Sequence, residues 1–442
     1  MPDKASVPTG HGRGWRGAIA LYADRRLVII LLMGFASGLP LPLTLATLSF
    51  WLARVGVDKT AIGLFALVGL PYTLKFVWAP VLDHVRAPVL GRLFGRRRGW
   101  ALLIQAALIA AILGLGASDP VLAPWATAAA AVAVAFFSAS QDIVIDAYRI
   151  EILEESEQGA GAAATQTGYR LGALLAGAGA IALSDFIGWF AVFAILAGFV
   201  LVGTAAMLIA TEPSAAASRP ALDRSTWLQT AVVAPFTDFL RRPGWLAILV
   251  FILLYKFGDA ISGVMANPFF VEMGFSGVEI AAVTKVFGVL ATLGGVVVGG
   301  VLVARFGLIV GLAVGGVLQA ATNLLYAVQA GVGHDIVLLT VVIGADNFTG
   351  GLGSAAFVAY LSSLCSRAFT GTQFALLTSL MAAGRTVFSS GGGWLADNMD
   401  WAAFFTLTAA LAVPGLLLLW WLARARAAAN HGIAGDALGD RP

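Results

Sequence analysis

Long apolar runs alternate with short polar breaks along almost the whole chain. A membrane-spanning helix needs about 20 apolar residues, because each adds about 1.5 Å against a hydrocarbon core about 30 Å thick. Runs of that length fall near residues 28–50, 60–81, 100–117, 124–150, 160–183 and 189–210. Six more fall near 245–269, 278–303, 308–330, 337–362, 371–395 and 401–423. Membrane barrels show ten-residue alternation instead, so the pattern predicts an all-α integral membrane protein with twelve transmembrane helices. Glycines inside the spans, such as Gly294, Gly295, Gly299 and Gly300, let helix backbones approach closely in lipid.

The polar breaks set the organisation. The stretch TEPSAAASRPALDRS, small, polar and proline-bearing, reads as a linker near the middle of the chain. Residues 225–242 fit either a short amphipathic helix on the membrane surface or an irregular segment. The expected division is a tail over 1–26, a bundle over 27–210, a linker over 211–244, a second bundle over 245–424 and a tail over 425–442. The halves echo one another at an offset near 210: Asp142 answers Asp346, and Arg170 in TGYR answers Arg385 in AAGR. Two pseudo-symmetric six-helix bundles related by an axis along the membrane normal are a carrier arrangement.

Composition agrees with lipid as the main solvent. Of 442 residues, 59% are hydrophobic and 12% charged, against about 25% charged in soluble domains. Mean hydropathy is +0.89. One cysteine, Cys365, excludes an intrachain disulfide, and with only four histidines no metal site and no cofactor are expected. The net charge of +3 does not point to nucleic acid, because the basic residues lie in short loops. Nineteen Lys and Arg fall on one side of the expected topology and two, Arg54 and Lys59, on the other. That asymmetry predicts both termini in the cytoplasm. No cleavable signal peptide is expected, since the basic N-terminal tail leads straight into a run of spanning length.

Ionisable residues inside spans are costly unless they face a cavity or a partner. Ten occur here: Lys75, Asp142, Asp146, Arg149, Arg170, Lys256, Asp259, Lys285, Asp346 and Arg385. A polar route through the bundle is the economical reading. Asp142, Asp146 and Arg149 share one helix face. Two carboxylates one turn apart repel when both are ionised, which suits one of them to exchange a proton. Asp142, Asp146, Asp259 and Asp346 are therefore candidates for proton coupling; the alternative is that arginines simply pair with them to hold helices together. Lys256 and Asp259, three residues apart, can neutralise each other or act separately.

The cation excess, six basic against four acidic groups, points to an anionic substrate. Lys75, Arg170, Lys256, Lys285 and Arg385 are candidates for its charge, and the amides Gln141, Asn347 and Gln373 for hydroxyl or acetamido groups; interhelical hydrogen bonding is the alternative for each amide. Arg149, near a span end, reads as a gate residue. The chain lacks a phosphate loop, a GxSxG elbow, HExxH and a dinucleotide fingerprint after a strand, so neither an enzyme nor an ATP-driven pump is expected.

Several stretches in order carry a resemblance: GFASGLPLPLTLATLSFWL, IGLFALVGLPYTLKFVWAPVLD, GRRRGW, SASQDIVIDAYRIEIL, EQGAGAAATQTGYRLG and GTQFALLTSLMAAGR. Together they resemble the AmpG muropeptide permease family of the major facilitator superfamily. The resemblance implies import of N-acetylglucosamine–anhydro-N-acetylmuramic acid, with or without stem peptides, from periplasm to cytoplasm across the inner membrane, at the expense of the proton gradient. It makes Asp142 and Asp146 functional. Asp83 with Arg96, Arg97 and Arg98 is similar to the major facilitator motif that closes the cytoplasmic side. Expected partners are the muropeptide, protons and membrane lipids, with the chain acting as a monomer. A carrier of another anion, such as an acyl-CoA, siderophore or drug, and a non-transporting scaffold or sensor remain alternatives.

Overall fold

The computed structural model describes residues 23–57, 65–213, 228–276, 279–280, 283, 287–390 and 392–424. Regular structure among them is helical. The first half contains α1 (Arg25–Leu52), α2 (Leu67–Val77), α3 (Ala79–His84), α4 (Arg96–Ala117), α5 (Pro124–Ile152), α6 (Gln158–Leu174) and α7 (Trp189–Ile209). A short α8 (Ala234–Leu240) precedes the second half. That half contains α9 (Trp245–Glu272), α10 (Gly288–Phe306), α11 (Leu308–Val332), α12 (Ile336–Ser363), α13 (Thr370–Ser390), α14 (Gly392–Asp397) and α15 (Trp401–Arg424).

Helix starts follow local chemistry. Asp24 accepts the backbone N–H of Arg26, Asp335 those of Val337 and Leu338, and Asp400 that of Ala403. Each carboxylate satisfies donors that a first turn leaves open. Pro124 opens α5, where its missing N–H costs nothing. The segment expected to be amphipathic or irregular is helical from Leu228, beginning with the π-helical turn Leu228–Val233; residues 214–227 lie outside the described residues.

Nine helices among the described residues are long and apolar enough to cross a membrane. The spans expected near 60–81, 160–183 and 371–395 are not among those nine: residues 58–64 and 391 lie outside the described residues, and the helices described there are more polar or broken. The second is interrupted at Trp78 between α2 and α3, with Pro71 and Pro80 in its path. The fifth and eleventh carry Thr165, Gln166, Tyr169 and Arg170, and Thr370, Thr372, Gln373 and Arg385. A helix that borders water between the halves need not be apolar all round.

Close backbone approaches hold the bundles. A Cβ on Gly168 would run into the Leu31 carbonyl, so α6 can lie against α1 only with glycine there. Gly295 does the same for α10 against the Phe348 carbonyl of α12. Lipid supplies no hydrophobic drive between helices, so such contacts carry the association.

The apolar cores reveal the shape. At one end they mix the halves: Ile143 and Tyr148 pack with Val301, Ala304 and Ala375, and Ile150 and Ala162 with Phe251 and Tyr360. At the other end each half keeps its own core. One gathers Leu39, Trp51, Leu108 and Phe193, the other Phe269, Tyr326, Phe404 and Phe405. The halves therefore join at the end that carries Asp83 and Arg97 and stand apart at the opposite end.

Candidate functional site

The joined end is sealed by buried charge. The guanidinium of Arg97, at the start of α4, is 0% exposed. Its Nη2 reaches Asp83 Oδ1 and Glu151 Oε1, each at 2.6 Å, and its Nε donates to Glu151 Oε2 at 3.0 Å. Both carboxylates also reach the other half. Asp83 accepts from the backbone N–H groups of Gly371 (3.1 Å) and Thr372 (2.6 Å) and from the Thr372 hydroxyl (2.8 Å). Glu151 accepts from the Thr370 hydroxyl at 2.9 Å. The first turn of α13 has unpaired N–H donors and the positive end of the helix dipole, so a carboxylate is well placed there. Arg96 donates to the Asp83 carbonyl at 2.5 Å.

Two arginines expected at this gate act differently. Arg98 donates to the Met207 and Leu208 carbonyls at the end of α7, within its own half. It caps a helix rather than bridging the halves. Arg149 is buried, with Nη2 3.4 Å from Asp146 Oδ1 and its guanidinium 5.4 Å from the ring centroid of Phe374 on α13. Its Nε and Nη1 have no hydrogen-bond partner.

Between the halves lies a set of polar side chains. Asp142 accepts from the Ser37 hydroxyl at 2.5 Å, and Lys75 is near enough for its charge to act on the Asp142 carboxylate. Lys256 donates to Asp259 at 3.0 Å and to the Gln319 amide oxygen at 2.7 Å. That pair is internally neutralised. Asp346 accepts from Thr322 and Tyr326 hydroxyls, both at 3.4 Å, and lines a pocket with Asn347. Arg170 on α6 and Arg385 on α13, one from each half, are exposed, and neither has a carboxylate of a described residue within ion-pair distance. They lie close enough for Arg385 to repel Arg170.

Two amides expected to touch substrate are placed elsewhere. Gln141 is 0% exposed, with both amide atoms unpartnered in the interior of the first half. It cannot contact a solute in this conformation. Gln373 is buried at the sealed end, donating to the Pro235 carbonyl and to Asp238 and accepting from the Ser366 N–H. Its amide is spent bracing α8 against α13. Lys285 lies outside the described residues.

Sequence reasoning missed Glu151, Thr370 and Thr372. Glu151 sits at a span end, where a carboxylate is unremarkable, and nothing in a linear sequence pairs it with residue 370. No cluster of His, Cys, Asp and Glu among the described residues could hold a metal ion.

Two helical halves sealed at one end over a polar space define a secondary carrier rather than an enzyme. The chain belongs to the Major Facilitator Superfamily, whose family model matches residues 27–343, and within it to the AmpG permeases. It is 40% identical over 403 residues to the anhydromuropeptide permease of Escherichia coli strain K12, covering 91% of this chain and 80% of that one. It is 32% identical over 405 residues to the putative transporter AmpG 4 of Rickettsia conorii, covering 91% and 97%. The fold also matches the crystal structure of the human organic anion transporter MFSD10, with a TM-score of 0.67, 16% identity, and 89% and 99% of the two chains covered. The protein is thus a multi-pass membrane permease.

Proposed function

We infer that this permease imports anhydromuropeptides, N-acetylglucosamine–anhydro-N-acetylmuramic acid with or without a stem peptide, from periplasm to cytoplasm. The observation that carries the reading is the 40% identity to an anhydromuropeptide permease across 91% of this chain. The site chemistry supports it: a muropeptide bears carboxylates and many hydroxyl and acetamido groups, and the space between the halves offers unpaired cations and polar acceptors. The protein lies in the inner membrane as a monomer, with both termini and the sealed end in the cytoplasm.

The conformation described is then open to the periplasm. Arg170 and Arg385, held apart by like charge, receive a substrate carboxylate, and Lys75 adds positive potential near Asp142. Neutralising the two arginines removes their repulsion and lets the halves approach at the periplasmic end. Approach there loosens the sealed end, where Asp83 and Glu151 must release α13. Asp142 is the proton carrier, because its carboxylate sits beside a cation and a hydroxyl donor at a place that either side can wet in turn. Asp259, already paired with Lys256, has the lesser claim.

Uptake of labelled anhydro-disaccharide into proteoliposomes tests the reading. Accumulation should rise with an inward proton gradient and acidify the lumen. Absence of uptake of the disaccharide, alongside uptake of an unrelated organic anion, would transfer the function to that other anion; uptake without acidification would remove the proton.

A further inference from the structure

The second half contains a pocket of about 190 Å³ formed by α9, α11 and α12. That is below the ~300–1,000 Å³ typical of sites for drug-sized ligands, so it takes one ring rather than a disaccharide. Its walls are Ser262, Gly263, Phe270, Tyr326, Asp346 and Asn347, with Ala266 and Ile343 between them, and no cation is among these described lining residues. Phe270 and Tyr326, packed against each other at 6.2 Å, make that side of the pocket apolar.

The polar atoms are not exhausted. Asp346 accepts two long bonds of 3.4 Å, one on each oxygen, and a carboxylate has about four acceptor sites. Asn347 donates once, to the Ile343 carbonyl, and accepts once, from Thr292, so each amide atom retains one unused valence. Lys256 is near enough for its charge to act on Asp346 but is itself paired with Asp259, so the carboxylate beside the amide leaves a net negative charge that suits hydroxyl and N–H donors and repels an anion.

We propose that this pocket is the subsite for a neutral pyranose ring bearing an acetamido group, while the anionic end of the same substrate lies on Arg170 and Arg385. The chamber is thereby divided by charge, and the division fixes the orientation in which a solute with one neutral sugar end and one acidic end is carried. Asp346 is a substrate acceptor in this arrangement. The subsite rests on the import reading given above.

The test uses Gly263, where an added Cβ meets nothing within 4 Å, so Gly263→Cys disturbs no packing. In a Cys365→Ala background, maleimide labelling of Gly263→Cys is measured in membranes with free N-acetylglucosamine, glucose or N-acetylmuramic acid. N-acetylglucosamine should protect at lower concentration than the other two. Adding Phe270→Ala or Asp346→Asn should raise its half-protecting concentration at least fivefold, whereas adding Arg170→Lys, which keeps the like charges, should leave it within twofold. Equal protection by N-acetylmuramic acid, or an equal loss in Arg170→Lys, would overturn the division. Should the anhydro-disaccharide be carried while N-acetylglucosamine fails to protect, the subsite is wrong and the import reading stands. Should the disaccharide neither be carried nor protect, both are wrong.

Discussion

Arg97 shows how much a single buried charge can hold. It sits between two carboxylates in a site with no exposure, and removing one partner of such a group typically costs about 3–5 kcal/mol because the rest is left uncompensated. Arg97→Met should therefore lower the thermal midpoint of the detergent-purified protein by several degrees and raise cysteine labelling at the sealed end. Asp142→Asn is the contrasting case. It retains an acceptor for Ser37 and should leave the thermal midpoint unchanged, yet reduce gradient-driven uptake at least tenfold; normal accumulation in that variant would take Asp142 out of coupling. The sequence marked both residues, one by its place in a loop motif and one by its place in a span. It could not mark Glu151, which matters only because folding carries it to Thr370. For Gln141 and Gln373, residue type suggested ligand contact, but side-chain direction and a competing carbonyl decided otherwise.

Helices were more legible than their contacts. Runs of about 20 apolar residues stand out because lipid demands them, and nine helices among the described residues meet that demand. The second, fifth and eleventh spans were placed by the same runs, although the helices there are shorter or carry more polar side chains. The start of α13 is the element with the most to reveal. Asp83 there accepts two backbone N–H bonds and one hydroxyl bond from Gly371 and Thr372. Thr372→Val deletes only the hydroxyl and should weaken the seal by about 1 kcal/mol, roughly fivefold in the open population. Thr372→Pro removes the backbone donor as well and should open the sealed end much further. Cysteine accessibility at that end measures both, and equal effects would mean that the helix N-terminus contributes little to the seal.

At the scale of the whole molecule, the relation between the halves was the part that no linear pattern contained. Hydropathy pointed to two bundles and the basic residues led to an expected sidedness, but which end is joined emerges only from cores that mix the halves at one end and stay separate at the other. That arrangement leaves Arg170 and Arg385, one from each half, exposed and near enough for one charge to act on the other, and it yields a test of charge as the trigger of closure. Arg385→Glu replaces a repulsion by an attraction between the halves. Exposed pairs contribute up to about 1 kcal/mol each, so the change should favour closure of the open end about fivefold without any substrate. Labelling at Gly263→Cys should fall in Arg385→Glu, uptake should fall with it, and the double variant Arg170→Glu with Arg385→Glu should restore labelling, because like charges face each other again. Uptake should stay low in the double variant, since two carboxylates cannot receive a third. A double variant that recovered labelling and transport together would mean that the arginines only space the halves, whereas recovery of labelling alone separates their repulsion from their hold on the anion.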